Sequence, residues 1–240
     1  MKNVILLICF GNKNINSQIE KLKQNINKSF KAYDIYICFT SSFFIKKYGY
    51  SIEQILKKIY LYGYKDVICL PIFTIDGIEY EKAVTYINQY KNKFNKIAFA
   101  KPLLYYDEDF NIIYNYINNT DKNVLYICHG TDDKANEKYK KLFNMFKNQN
   151  IFFANLESEP YIEDVLKILI KKQINEICLK PFLLFKGKHI QTDIAQNIKN
   201  KLLKSGIKVT LNLTPLLQQQ IIIDLFINHL QKEVLKLNDK

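Results

Sequence analysis

Eight short apolar runs recur along the chain, and a polar or amphipathic stretch separates each run from the next. Unbroken apolar runs are typical of strands buried on both faces, and strands that alternate with helices favour parallel sheets. The runs lie near residues 3–10, 34–40, 66–73, 96–100, 123–128, 151–156, 176–184 and 207–213. The pattern predicts an α/β protein built on parallel sheets.

The stretch after the second run predicts a helix with a defined start. Ser51 and Gln54 have the spacing of a capping box, in which each side chain binds the other residue's backbone N–H. Apolar residues at positions 52, 55, 56 and 59 fall on one helical face. We expect that face to cover a sheet.

The chain also repeats itself at a spacing of 110 residues. The apolar positions 162, 165, 166 and 169 match positions 52, 55, 56 and 59 of the helix described above, and Pro71 and Gly77 recur as Pro181 and Gly187. We therefore predict two similar α/β domains related by a pseudo-twofold repeat, each with a mostly parallel four-stranded sheet flanked by helices. The polar segment 117–123 sets the expected boundary between domains 1–118 and 119–240. The cleft between such domains is the expected place for a ligand.

Composition limits the classes of function. Of the 240 residues 48% are hydrophobic, which is enough for packed cores, and no apolar run is long enough to cross a bilayer. The apolar start at residues 1–10 has no cleavage site after it and predicts a first strand instead of a signal peptide. We expect a cytoplasmic protein without a membrane partner.

The net charge of +12 is carried by lysine and would suit an anionic partner, but Lys, Asn, Ile and Tyr are abundant along the whole chain. That general bias, with no helix-turn-helix or RNP-like motif, argues against nucleic acid. Five cysteines lie in or beside predicted strands, without a CxxC pair: Cys9, Cys38, Cys69, Cys128 and Cys178. We expect them to be reduced, buried and structural.

Polar side chains follow three of the predicted strands of the second half. His129 directly follows the run 124–128, Glu157 follows the next run, and His189 comes after the run 176–184. Because the carboxyl ends of neighbouring parallel strands meet at one edge of a sheet, we expect these side chains to converge. Two imidazoles and a carboxylate suit divalent Co²⁺, Ni²⁺, Fe²⁺ or Zn²⁺ and leave coordination positions open.

Each of these residues also has a purely structural interpretation. His129 could fill a strand end, and Glu157 could interact favourably with the dipole of the helix that begins near Pro160. His189 and Asp193 are four residues apart, so Asp193 could orient the imidazole from behind, or the two could form a simple surface pair. The first half is poor in such ligands, since Phe10 and Glu79 occupy the positions matched to His129 and His189.

Several motifs resemble the anaerobic cobalt chelatases of the class II chelatase family over nearly the whole chain. The motifs in the second half are Cys128-His129-Gly130-Thr131, Leu156-Glu157 with Pro160, and Pro181 through Gly187-Lys188-His189 to Asp193; those in the first half are Phe39-Thr40-Ser41 and Gly77-Ile78-Glu79-Tyr80. This chain departs from the family pattern at Asn12-Lys13, where Thr-Ser is usual, and at Phe73, where His is usual.

The resemblance implies insertion of Co²⁺ into sirohydrochlorin or precorrin-2 in anaerobic cobalamin biosynthesis, with a metal held by His129, Glu157 and His189 and no organic cofactor. Ni²⁺ or Fe²⁺ would suit the same ligands. His129 and Glu157 would act as catalytic residues, with Asp193 behind His189. The substrate-binding residues implied are Phe10, Gly11, Thr40, Ser41, Glu79, Tyr80 and Lys188. A homo-oligomer is left open.

Two other functions are weighed beside the chelatase. A tetrapyrrole or metal carrier would keep the binding site without turnover. A nucleotide-binding module is disfavoured, because the chain has neither a GxGxxG motif nor a P-loop.

Overall fold

The computed structural model of the protein describes residues 2–120 and 123–238. Its strands are β1 (Lys2–Cys9), β2 (Tyr33–Phe39), β3 (Tyr64–Pro71), β4 (Lys96–Phe99), β5 (Val124–Cys128), β6 (Ile151–Asn155), β7 (Glu176–Pro181) and β8 (Lys208–Leu211). Its α-helices are α1 (Ile15–Ser29), α2 (Ser42–Tyr48), α3 (Ile52–Leu61), α4 (Ile78–Asn88), α5 (Asp107–Thr120), α6 (Asn136–Met145), α7 (Ile162–Lys171), α8 (Lys199–Lys204) and α9 (Gln220–Asn238). A π-helix spans His189–Ile198, and short 3₁₀ turns span Lys91–Lys93 and Leu216–Gln218.

Eight strands, the number predicted, form two four-stranded sheets within the described residues. The first sheet has the order β2-β1-β3-β4 and the second the order β6-β5-β7-β8, and every pairing in both is parallel. The two sheets therefore share one topology, which confirms the predicted α/β repeat.

The local signals in the sequence explain these elements. Strand β5 is buried at all five of its positions, as an unbroken apolar run in a parallel sheet requires. Helix α3 begins with the predicted capping box, in which the Ser51 side chain accepts from Gln54 N and the Gln54 side chain accepts from Ser51 N. Its four predicted apolar positions are all buried and pack in the core beside the first sheet.

The chain divides into two compact units, and the division differs from the predicted boundary at residues 118 and 119. The first unit is Met1–Tyr105 with Gln220–Lys240, and the second is Tyr106–Gln219. Helix α5 thus packs within the second unit, where it contacts α6, and α9 returns to the first unit, where it contacts α1, β3 and β4. Of the expected linker 117–123, residues 117–120 belong to α5, and Asp121 and Lys122 lie outside the described residues.

Four of the five cysteines are buried, as predicted from their positions: Cys9, Cys38, Cys69 and Cys128. All five are free thiols on strands, but Cys178 is only partly buried, which differs from the expectation. Burial raises the pKa of these four thiols far above the ordinary range, so they stay neutral and are poor metal ligands. Separately, no helix in the described part of the chain is both long enough and apolar enough to cross a membrane.

Candidate metal centre

The site is assembled by three adjacent strands of the second sheet. Strand β5 lies between β6 and β7, and all three end at the same edge. His129 directly follows β5, Glu157 lies two residues beyond β6, and His189 is the first residue of the π-helix that follows β7. The structure brings the three predicted side chains together, with one ligand atom from each within 4.8 Å of the others.

The three side chains are accessible from solution. Their exposed fractions are 44% for His129, 54% for Glu157 and 42% for His189. The two imidazole rings are perpendicular, with centroids 5.2 Å apart. A half-exposed set of this kind can accept an ion from solution and release it again, whereas a closed structural site cannot.

Asp193 orients the ring of His189 through a hydrogen bond at Nδ1. The Nδ1 atom of His189 lies 2.8 Å from Asp193 Oδ2, as the sequence spacing predicts. A carboxylate accepts the hydrogen bond, so Nδ1 carries the proton and Nε2 keeps the lone pair of the neutral ring. The segment that carries both residues is a π-helix. With more than four residues per turn, a π-helix still places residue 193 close to residue 189.

The ring of His129 is oriented by its own loop. Its Nδ1 lies 3.0 Å from the carbonyl oxygen of Gly130 and 3.5 Å from Glu157 Oε2. Since a carbonyl only accepts, Nδ1 is the donor in the neutral ring, and Nε2 is again the atom with the free lone pair. Both imidazoles therefore have the tautomer that a metal ligand needs.

The loops that carry His129 and Glu157 are joined through their backbones. The N–H of Glu157 donates to the carbonyl of His129 over 2.9 Å, and Leu156 N lies 3.1 Å from the carbonyl oxygens of Cys128 and His129. Backbone hydrogen bonds therefore join the two segments that carry these candidate ligands, at the ends of β5 and β6.

The spacing of the ligand atoms is close to what one ion requires. Bonds of about 2.1 Å from a divalent ion to nitrogen or oxygen allow two ligand atoms at most about 4.2 Å apart. The three atoms lie within 4.8 Å of one another. Small side-chain movements would therefore bring all three ligand atoms within bonding distance of one ion.

The residues expected to bind substrate from the first half lie at the corresponding edge of the first sheet. Phe10 follows β1 and is 49% exposed. Gly11 has φ +128°, and an added Cβ would come within 2.4 Å of the Phe44 ring, so the position requires glycine. Thr40 and Ser41 follow β2, and their backbone N–H groups donate to the carbonyls of Cys9 and Phe10.

Glu79 and Tyr80 lie in the first turn of α4 but differ in exposure. Glu79 is partly exposed and pairs with Lys82 at 2.7 Å. Tyr80 is only 6% exposed, and its ring packs edge-on against Phe99 with the centroids 5.2 Å apart. The expectation that Tyr80 contacts substrate directly is not supported, because the inward face of α4 places its ring in the core of the first unit.

Lys188 is the last of the expected substrate-binding residues, and His229 is the third histidine of the chain. Lys188 is exposed and precedes His189 at the start of the π-helix. His229 belongs to the first unit, is only 2% exposed, and its Nδ1 lies 3.0 Å from the carbonyl oxygen of Lys101. It is therefore a buried structural residue of α9.

The sequence interpretation assigned no role to three buried polar residues beside the site. Asn136, Asn155 and Ser158 are 8%, 3% and 4% exposed and are hydrogen-bonded to one another. Asn136 lies in Ala135-Asn136, which is among the motifs that resemble the chelatase family, but the resemblance implies no role for it. The sequence signal of Asn155 and Ser158 is a position at or near a strand end, where Asn and Ser are common for local reasons.

Comparison with known proteins supports the same interpretation. Residues 3–235 match the sequence model of a family described as cobalt chelatase (CbiK). A relative from Salmonella typhimurium, named sirohydrochlorin cobaltochelatase, is 26% identical over 255 aligned positions, which cover 97% of this chain and 96% of the relative.

Solved structures of chelatases share the fold. SirB from Bacillus subtilis, solved with Fe³⁺, has a TM-score of 0.71 and 16% identity, and the match covers 97% of this chain and 95% of SirB. The sirohydrochlorin chelatase SirB from Bacillus subtilis subspecies spizizenii, in complex with cobalt, has a TM-score of 0.66 and 15% identity over 97% of this chain and 95% of that one. At these identities the likeness concerns the fold.

Proposed function

The chain belongs to the cobalt chelatase (CbiK) family, and from this membership we propose that it inserts Co²⁺ into sirohydrochlorin. The observation that carries the proposal is the convergence of His129, Glu157 and His189 at one sheet edge. The 26% identical relative over almost the full chain, named a sirohydrochlorin cobaltochelatase, supports the choice of metal and tetrapyrrole.

The metal is a substrate in this reaction, so its ligands must hold it and then release it. Two neutral imidazoles and one carboxylate are borderline ligands that suit Co²⁺ and leave coordination positions for water or a pyrrole nitrogen. The exposed fractions of 42–54% mean that the ion is held at a surface and not enclosed. Ni²⁺ and Fe²⁺ accept the same ligands, so supply and geometry discriminate between them.

Insertion also requires a place for two protons. As the ion enters the macrocycle, two pyrrole N–H bonds break and two protons leave, so the total charge is conserved. Glu157 carries a carboxylate that is 54% exposed, and it can accept a proton from the macrocycle and pass it to water. The Nε2 atom of an imidazole that has released the ion can accept the second.

The first unit offers a surface suited to a flat polycarboxylate. Phe10 and Phe43 are 49% and 61% exposed, and Lys46 and Lys47 lie on the same short helix as Phe43. Residues 10–19 and 38–52 contain no Asp or Glu. Aromatic faces suit the macrocycle, and the lysines suit its acetate and propionate groups.

An anaerobic insertion assay tests the proposal. Sirohydrochlorin is mixed with Co²⁺, Ni²⁺ or Fe²⁺ and the protein, and the absorption of the metallated product is followed. We expect the largest acceleration with Co²⁺. Glu157→Gln keeps the size of the side chain and removes its charge and basicity, so the insertion rate should fall about 100-fold or more.

Glu159→Gln is the matched control, because Glu159 is an exposed glutamate two residues further along the same loop. Its variant should insert Co²⁺ at the wild-type rate. Binding of both Co²⁺ and sirohydrochlorin without accelerated insertion would instead identify a carrier and would contradict the chelatase.

A further inference from the structure

We propose that Asn136, Asn155 and Ser158, called here the Asn136 network, act as positioning residues that hold Glu157 and His129 at the distance a metal ion requires. The proposal rests on the proposed function, since it concerns the same metal site. The three residues are buried, whereas the candidate ligands are half-exposed. Their effect on the metal would therefore be indirect, through the two loops.

The network first closes the loop that carries Glu157. The Asn155 amide donates from Nδ2 to Ser158 Oγ over 3.0 Å and to the carbonyl of Glu159 over 2.8 Å. The backbone N–H of Asn155 donates to the carbonyl of Pro160 over 2.8 Å. The ends of the segment are thus tied together, and the exposed Glu157 lies between them.

Asn136 then joins this loop to the loop that carries His129. Its Oδ1 accepts from Ser158 Oγ over 3.2 Å and from the backbone N–H of Thr131 over 3.4 Å. Thr131 lies two residues after His129, and Ser158 directly follows Glu157. The Oδ1 atom of the buried Asn136 therefore links Thr131, in the loop of His129, to Ser158, in the loop of Glu157.

Gly130 shows how closely the two loops approach. It has φ +75°, and an added Cβ would lie 2.4 Å from Ser158 Oγ and 2.7 Å from Asn155 Cβ. No side chain fits there without moving the loop. The ligands are thus carried on two segments in direct contact, with the network buried beneath them.

The first unit shows that the fold itself does not require this network. Asn155 pairs with Cys128 in the second sheet as Phe39 pairs with Cys9 in the first, so Phe39 is the equivalent residue. Phe39 packs against the rings of Phe44, Tyr48 and Tyr50, with centroids 6.0–6.2 Å away. In the first unit, which lacks the candidate metal ligands, aromatic packing therefore stabilises the corresponding sheet edge. Buried polar groups cost free energy unless they are satisfied, so their use beside the ligands indicates a role in the site.

The test measures Co²⁺ binding to the protein alone, without sirohydrochlorin. Co²⁺ is titrated anaerobically into the protein, and its visible d–d absorption reports affinity and coordination. Asn136→Leu removes the acceptor at similar volume and should weaken Co²⁺ binding about tenfold or more, with an altered spectrum. In insertion assays it should lower kcat and leave KM for sirohydrochlorin unchanged, because the network is buried and presents almost no surface to a bound macrocycle.

Asn136→Asp separates positioning from stability. Both hydrogen bonds use Oδ1 as an acceptor, so an aspartate keeps them and should restore most of the Co²⁺ affinity and the spectrum. Its buried charge should still lower the thermal midpoint, as Leu does. A merely structural residue would lose Co²⁺ affinity and stability together. Here both variants should be less stable, but only Asn136→Leu, which lacks the acceptor, should bind Co²⁺ weakly.

The remaining variants make the outcome decisive. His229→Gln changes a buried, hydrogen-bonded residue of the first unit and should leave Co²⁺ affinity at the wild-type value. Wild-type affinity in Asn136→Leu, or an Asp variant as weak as the Leu variant, would overturn the proposal. If Asn136→Leu does not fold, Ser158→Ala removes the same link and must weaken Co²⁺ binding. His129→Ala with unchanged Co²⁺ affinity would instead refute the metal site and the proposed function.

Discussion

The two histidines of the proposed metal centre have half-exposed rings, and a hydrogen bond at Nδ1 orients each ring. His129→Ala and His189→Ala should each lower Co²⁺ affinity and remove most insertion activity. Because each side chain is more than 40% exposed, the free energy of unfolding should change by only about 0.5 kcal/mol or less. Asp193→Asn keeps His189 but weakens the hydrogen bond at Nδ1, and its loss of affinity should be about tenfold.

Calorimetric titration with Co²⁺ and thermal unfolding of the same samples measure both quantities. A variant of His129 or His189 that unfolds much more easily but binds Co²⁺ normally would show a structural histidine. The sequence alone left that alternative open for both residues.

Among the secondary structure elements, α9 is the one whose role the sequence misjudges. Its apolar face is buried through Ile222, Ile223, Leu225, Phe226 and Leu230. It covers β3 and β4 of the first unit, although it follows the second unit in the chain. His229 lies on this buried face and is next to the carbonyl of Lys101.

His229→Ala should therefore destabilise the protein. The change leaves the carbonyl of Lys101 without this partner and opens a cavity at the buried His229 position, at a cost of about 1–3 kcal/mol. Urea unfolding measures the loss, and Co²⁺ affinity should remain at the wild-type value since His229 is outside the metal centre. Unchanged stability would contradict the structural role of this histidine.

At the scale of the whole molecule, two units of one topology carry different chemistry. The second unit holds the proposed metal ligands, and the first has Phe10 in the position equivalent to His129. Phe10→Ala should weaken sirohydrochlorin binding by about 1 kcal/mol, or roughly fivefold, through the loss of an aromatic face. Co²⁺ affinity should not change.

Fluorescence or absorption titration with sirohydrochlorin measures this effect. Tyr60→Ala is the matched control, because Tyr60 is similarly exposed at 50% but lies near the end of α3, before β3 begins, and so at the opposite edge of the first sheet. Equal weakening in both variants would show that Phe10 has no specific role in binding the macrocycle.

The sequence by itself determined the elements and the repeat. Each strand is a local apolar run, and α3 begins at a local capping box, so short-range chemistry specifies them. The 110-residue spacing predicted two sheets of one design, and the strand ends predicted His129, Glu157 and His189. These features can be predicted from the sequence because each one depends on a local pattern of residues.

Only the tertiary structure decided how distant segments combine. An amphipathic helix must bury one face, but its pattern does not say which sheet it covers, so α9 was assigned to the wrong unit. The burial of Tyr80 and the contact between Asn136 and Ser158 have no periodic signal either. Asn136 and Ser158 are 22 residues apart, and their hydrogen bond forms only because parallel pairing of β5 and β6 brings their loops to one edge. Side-chain contacts across loops depend on three-dimensional proximity, which a linear pattern does not contain.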